Sequence, residues 1–235
     1  MALPKLDTPT YELELPSTGE KIKYRPFLVK EQKNLMIASE SEDENEIQNA
    51  LANLITECTF GEIDPYVVPI FDVEFMFLRI RGKSVGEKIE LNVLCPDDNK
   101  TRTDITINLE DIDVHMEATH NNEISVTDNI TIFMRYPTLK DMTYITPDST
   151  DVASVFNLIK RCIAEIHDKK IVHNRIDISE KELDEFIDNL PSAIFETLGD
   201  FFTSMPKVQH PVKVTNPITK KKGEVIIEGI QSFFE

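Results

Sequence analysis

The sequence predicts an α+β protein in which antiparallel β-hairpins and several amphipathic helices pack around one central buried helix. Residues 71–95 carry the first observation. They begin with a segment that is apolar on nearly every side, a helix over Val73–Ile80, and continue as an alternating strand over Val85–Leu94. The second observation is that strand-like and helix-like segments occur in separate blocks along the chain. That order is typical of α+β folds with antiparallel sheets and not of doubly wound folds.

In the N-terminal part, the sequence predicts one hairpin and two helices. Residues 11–15 and 21–25 alternate between apolar and polar side chains, and Pro16–Gly19 between them has turn chemistry. A helix is expected over Leu28–Ser39. The next helix shows a regular apolar stripe from Ile47 to Cys58. For the central helix, Asp72 is the predicted N-cap and Gly82 the predicted end.

Alternation then predicts further strands. The strand Val85–Leu94 forms a second hairpin with Thr103–Leu109, and Asp111–His115 is expected to extend it. Ile124–Arg135 reads as two short strands with a bulge or turn at residues 127–129.

The last third predicts helices followed by a closing hairpin. Its expected elements are a short helix at 137–145, a helix capped by Asp148 or Ser149 with a stripe running to Ile166, a strand at 171–172, helices at 180–190 and 193–203, and a hairpin pairing 212–214 with 225–227. Ser179 and Glu182 fit a capping box. We expect a domain boundary near residue 120, which divides the chain into 1–120 and 121–235 unless it forms one intertwined domain. No repeat period is visible.

Composition excludes several classes of function. The chain has 235 residues and a net charge of -17, which disfavours sequence-independent binding of nucleic acid and of anionic membranes. No apolar run reaches the roughly 18 residues of a membrane span. Three widely spaced cysteines, Cys58, Cys95 and Cys162, predict no disulfide framework and no metal site, and they suit a reducing cytosol.

No catalytic, cofactor-binding or metal-binding residue is predicted. Gly82-Lys83-Ser84 matches only the tail of a phosphate-binding loop, because Phe77 stands where the first glycine belongs. The many carboxylates are scattered, so no acid/base pair can be chosen among them. Arg79, Arg81 and Lys83 either cap the buried helix or contact a partner.

The predicted contacts for a partner protein are the extended arm Met1–Thr10 and two groups of side chains. The first is the basic and aromatic run at Lys21, Lys23, Tyr24, Arg25 and Phe27. The second is the pair Phe233 and Phe234, which either lies on the chain's own core or inserts into a neighbouring protein.

Two stretches carry a resemblance to a known family. They are PTYELELPSTGEKIKYRPFLVKEQKNLMIA (Pro9–Ala38) and FDVEFMFLRIRGKSVGEKIELNV (Phe71–Val93). Both resemble the baseplate hub subunits of contractile-tailed phages of the T-even type, especially the versions of cyanophage-like relatives. The resemblance implies a non-enzymatic structural part in building the hub, through contacts with other hub and tail proteins.

The same resemblance leaves two locations and two roles open. The chain is expected in the virion tail, or in the host cytoplasm during assembly if it is an assembly chaperone that leaves. No cofactor and no catalytic residue carries over, and the oligomeric state is undetermined. A third hypothesis, an envelope-degrading hydrolase, needs two positioned carboxylates that the sequence does not place.

Overall fold

The computed structural model describes residues 7–41, 43–142 and 152–229. Within these ranges the chain forms seven α-helices and eleven strands in small antiparallel sheets, which confirms the predicted α+β class. It divides into two compact units. Unit 1 comprises Met1–His115 with Lys207–Glu235, and unit 2 comprises Met116–Pro206.

The elements follow one another in this order: β1 (Tyr11–Glu14), β2 (Lys21–Tyr24), α1 (Val29–Ser41), α2 (Glu44–Cys58), α3 (Ile70–Val85), β3 (Lys88–Leu94), β4 (Arg102–Asn108), β5 (Asp113–His115), β6 (Glu123–Thr127), β7 (Ile130–Met134), α4 (Leu139–Met142), α5 (Val152–Cys162), β8 (Ile163–Asp168), β9 (Ile171–Asn174), α6 (Glu180–Asp188), α7 (Ser192–Ser204), β10 (Lys207–Thr215) and β11 (Lys222–Glu228).

The central helix α3 is buried as predicted but extends further at both ends. Its apolar residues from Val73 to Ile80 are almost completely inaccessible. The predicted ends are wrong: Pro69 is the N-cap, and the helix continues through Gly82 to Val85. The C-cap is Gly86, whose φ of 119° is a conformation that residues with side chains rarely adopt. The following strand therefore starts at Lys88 and not at Val85.

Unit 1 contains three small sheets, β1–β2, β3–β4 and β11–β10–β5. The closing hairpin pairs Val212 with Val225, as predicted. The prediction that 111–115 extends the second hairpin is wrong. A short 3₁₀ turn at Leu109–Asp111 interrupts the strand, and β5 pairs with β10 instead. The closing hairpin thus belongs to unit 1, and the domain boundary at residue 120 stays a prediction that limited proteolysis can test.

Unit 2 is one four-stranded sheet in the order β6-β7-β8-β9, with helices packed on it. The predicted turn between two short strands at 127–129 is confirmed, as is the strand at 171–172. The capping box of Ser179 and Glu182 is present with both of its hydrogen bonds. The predicted caps Asp148 and Ser149 lie outside the described residues.

One predicted helix in unit 2 is too long. The apolar stripe reaching Ile166 suggested a helix, but α5 ends at Cys162 and residues 163–168 form β8. A register shift opposite Phe133 and Met134 allows both Ile163 and Ile166 to be buried. The bulge thus lets two buried residues of one strand lie three positions apart, a spacing that is also typical of a helix.

Candidate functional site

The predicted basic and aromatic run lies on β2 and the turn after it, and its residues differ in exposure. Lys21 and Lys23 are exposed, whereas Tyr24 is only 3% exposed and packs beside the ring of Tyr11, with the ring centroids 5.6 Å apart. Phe27 is half-buried, and its N–H donates to Ser84 Oγ at 2.9 Å. Lys21 and Lys23 thus remain accessible to a partner, and the role of the whole run in partner binding stays a prediction.

Arg25, from the same run, is held inside unit 1. Its guanidinium donates to a Glu31 carboxylate oxygen at 2.9 Å and to the carbonyl of Pro26 at 3.0 Å. Its backbone N–H donates to the carbonyl of Cys58 at 2.9 Å. Burial would raise the pKa of Glu31, but hydrogen bonds from Arg25 and from the Leu28 N–H outweigh burial and lower it. Arg25 therefore joins the end of β2 to the start of α1 and the end of α2.

Unit 2 contains the same arrangement. Arg135 follows β7 as Arg25 follows β2, and it donates to Asp141, which is again six residues later. Its backbone N–H donates to the carbonyl of Cys162 at 2.7 Å, at the end of α5. The N–H of Thr138 donates to Asp141, as that of Leu28 does to Glu31.

Both units thus share a motif of hairpin, arginine, acidic helix start and helix-ending cysteine, although no repeat was visible in the sequence. Burial raises the pKa of each cysteine thiol, Cys58 and Cys162, to about 12, so both stay protonated at neutral pH. Both cysteines are free and completely buried.

A cleft of about 480 Å³ lies beside β1 in unit 1. Its walls include the whole of β1, the ring of Tyr24 and the α3 side chains Phe75 and Leu78. Burial raises the pKa of Tyr24, although the nearby cations Lys83 and Arg79 oppose this. The cleft is therefore lined by both apolar and charged side chains.

The basic residues at the end of α3 bind groups of unit 1. Arg79 donates to the carbonyls of Leu109, Glu110 and Ile112 at 2.8–3.0 Å. Lys83 binds the carboxylates of Glu87 at 2.6 Å and Glu110 at 2.5 Å. These contacts fasten the segment after β4 to α3, so Arg79 and Lys83 serve contacts within unit 1.

Arg81 is half-buried, and burial lowers its pKa.

One contact that the sequence did not reveal involves Asp72. Its buried carboxylate accepts hydrogen bonds from the N–H and the Oγ of Ser17, in the turn between β1 and β2. Burial raises the pKa of Asp72, and the bonds from Ser17 oppose the rise. Asp72 therefore anchors the first hairpin to the central helix and does not cap that helix.

Phe233 and Phe234 lie outside the described residues. Among those that are described, no three metal-ligating side chains converge, and no helix is long and apolar enough to cross a bilayer. Cys95 is a free, buried cysteine at the β3–β4 turn.

Comparison with known proteins supplies the remaining observation. Residues 8–235 match the family model described as T4 bacteriophage base plate protein. The chain belongs to this family. No curated protein and no solved structure matches it.

The match to the T4 baseplate family extends over both units. As a T4-like baseplate protein, the chain is a structural component of the phage tail that contacts other tail proteins. The shared arginine motif then has a structural meaning. In each unit of this baseplate protein, the motif fixes a hairpin against helices through an arginine bound to a buried carboxylate.

Proposed function

We propose that the chain is a resident, non-enzymatic subunit of the baseplate hub that acts through protein contacts. The observation that carries this proposal is the family match over residues 8–235. The first hairpin supports it, because Arg25 and Asp72 hold the strand rigidly while Lys21 and Lys23 point to solvent. A rigid scaffold with an exposed strand is suited to an interlocking subunit. The closeness to cyanophage-like relatives is part of the same proposal.

Mass spectrometry of purified virions tests residence in the hub. Peptide abundance is scaled to a tail protein of known copy number. A stoichiometric signal at a small multiple of the tail symmetry is the expected result. Absence from virions together with presence in assembly intermediates from infected cells would contradict residence.

An assembly chaperone that leaves before the virion is finished is the second candidate. The observation that favours it is an exposed apolar strip on α1. Val29 is 79% exposed, Met36 58% and Ile37 54%, and the helical spacing places the three on one side. Such a strip suits transient contact with an incomplete client. The virion measurement separates the two candidates.

The chemistry of Glu110 and Glu87 in the cleft disfavours a glycosidase. A glycosidase needs one carboxylic acid with a raised pKa. Hydrogen bonding to Lys83 instead lowers the pKa of Glu110, and Glu87 binds the same ammonium. A cell-wall digestion assay with the purified protein is expected to show no activity, and digestion above the buffer control would contradict the proposal.

A further inference from the structure

The hairpin of unit 1 has a free outer edge on β2. The N–H of Leu15 donates to the carbonyl of Glu20 at 2.8 Å, next to the register in which Leu13 faces Ile22. In an antiparallel ladder the hydrogen-bonded pairs alternate, so the peptide groups of Ile22 point towards β1. Those of Lys21 and Lys23 therefore point away from β1, and no other strand of the described chain pairs with β2.

Unit 2 shows what occupies the equivalent edge. Counting back from the two arginines, Ile22 corresponds to Ile132, and Lys23 corresponds to Phe133. In unit 2 that edge belongs to β7 and is filled by β8, which pairs antiparallel to it. The ladder there starts with the bond from Arg135 N–H to the carbonyl of Cys162.

Unit 1 has the first bond of this ladder and lacks the strand. Arg25 N–H donates to the carbonyl of Cys58, as Arg135 does to Cys162. Beyond Cys58, however, Phe60 and Gly61 have φ angles of 59° and 77°. Two consecutive left-handed residues turn the chain away, so it does not continue along β2. The edge of β2 is thus the position that β8 fills in unit 2.

The side chains around this edge define the chemistry of its occupant. In unit 2, Ile166 of β8 faces the buried Ile132, and Glu165 faces Phe133. The residues of β2 at the corresponding positions are the buried Ile22 and the exposed Lys23. The ammonium groups of Lys21 and Lys23 form no ion pair among the described residues. A matching strand therefore places an apolar side chain opposite Ile22 and acidic side chains opposite the two lysines.

We propose that β2 accepts an extended acidic–apolar–acidic segment from another tail protein as an added antiparallel strand. The inference rests on the proposed function, since it names the chemistry of a partner. Two copies of this chain are disfavoured as each other's partner through this edge, because lysines would then face lysines.

A pair of proline variants tests the edge. Lys23→Pro removes an N–H that points outwards and leaves the β1–β2 ladder intact. Glu12→Pro is the matched control, because Glu12 lies directly opposite Lys23 with its N–H on the other outer edge of the same hairpin. Lys23→Pro is expected to lower incorporation into baseplates by about tenfold or more, and Glu12→Pro by less than about twofold. Equal incorporation of the two variants would overturn the inference.

Charge reversal tests the chemistry of the occupant. Because Glu14 and Glu12 lie opposite Lys21 and Lys23 in the hairpin, the reversal is made together with Glu12→Lys and Glu14→Lys, which keeps opposite charges facing each other. Lys21→Glu with Lys23→Glu is expected to lower incorporation by about tenfold, while arginine at both positions preserves it. If circular dichroism shows that Lys23→Pro does not fold, the comparison of the glutamate and arginine variants tests the inference in its place. Full incorporation of the glutamate variant would refute an acidic partner strand.

Amide hydrogen exchange measures the added strand directly. The amides of Lys21 and Lys23 are expected to exchange about tenfold more slowly in baseplates than in the isolated protein. If the chain is present in baseplates and these rates are unchanged, the inference fails and the proposed function stands. If the chain is absent from baseplates, the proposed function fails. The exchange rates of the Lys21 and Lys23 amides are then measured in assembly intermediates, and unchanged rates there overturn the inference.

Discussion

Removing the carboxylate of Glu31 is expected to destabilise unit 1 strongly. The Glu31 side chain is 5% exposed and that of its partner Arg25 is 11% exposed. Glu31 accepts hydrogen bonds from the N–H of Leu28 at 2.7 Å and from Arg25 at 2.9 Å. Glu31→Ala therefore leaves a buried guanidinium with only the exposed Glu57, at 3.8 Å, as a counter-charge, and a peptide N–H without its acceptor.

The size of the effect follows from these contacts. Removing one partner of a buried ion pair costs about 3–5 kcal/mol. The second cation near Glu31, Lys30, is 62% exposed and contributes little. Because Arg25 keeps some access to water, we expect the free energy of unfolding to fall by about 3 kcal/mol. At a urea slope of about 2 kcal/mol/M, the unfolding midpoint falls by about 1.5 M.

The assay is urea unfolding followed by far-UV circular dichroism. Glu40→Ala is the matched control, because Glu40 is an exposed glutamate on the same helix. Asp141→Ala removes the equivalent acid in unit 2, where Arg135 is 40% exposed and can be hydrated, so a smaller shift is expected. If Glu31→Ala shifts the midpoint no more than Glu40→Ala does, the ion pair does not stabilise unit 1 as described.

Four further predictions concern pH, packing, helix propensity and assembly. The folded pKa of Glu31 lies below its ordinary value of 4.5, so the stabilising effect of the ion pair is complete above pH 4.5 and is lost as the pH falls through the folded pKa. The stability difference between the wild type and Glu31→Gln in urea titrations should therefore shrink below pH 4.5 and stay constant above it. Gly223→Ala would place a Cβ 2.5 Å from Pro96 Cγ and should cost about 1–3 kcal/mol in thermal unfolding. Gly199→Ala, which meets no atom within 4 Å in α7, should stabilise by about 0.5–1 kcal/mol, and a loss of stability there would contradict the helix assignment. Deleting Phe233–Glu235 should leave the melting temperature unchanged and block incorporation into baseplates, and normal incorporation would remove these residues from the list of contacts.

Several elements could be predicted because their signals are local. The pairing of Val212 with Val225, the capping box at Ser179 and the stripe of α2 each depend on residues within one hairpin or one helix. The end of α3 could not be predicted, because a glycine such as Gly82 fits both the end of a helix and a position inside one. It lies against Leu109, a residue that comes two strands later.

The candidate site likewise combines features that the sequence predicted with features that it did not. Alternation indicated that Lys21 and Lys23 are exposed, and both are. The anchoring of Arg25 could not be foreseen, since it requires the end of α2 to approach the end of β2. The shared motif of the two units was hidden for a related reason. The spacing from arginine to acid is conserved between the units, but the number of residues from arginine to cysteine differs.

Periodicity, turn chemistry and charge thus sufficed for the α+β class, for most helices and strands, and for the exposed lysines of the first hairpin. These features depend on side chains that are neighbours in the chain. The pairing of β5 with β10, the anchoring of the first turn by Asp72 and the unfilled edge of β2 depend on which distant segments meet. A carboxylate or a strand edge finds its partner by burial and hydrogen bonding across the folded chain, and local pattern carries no information about that partner.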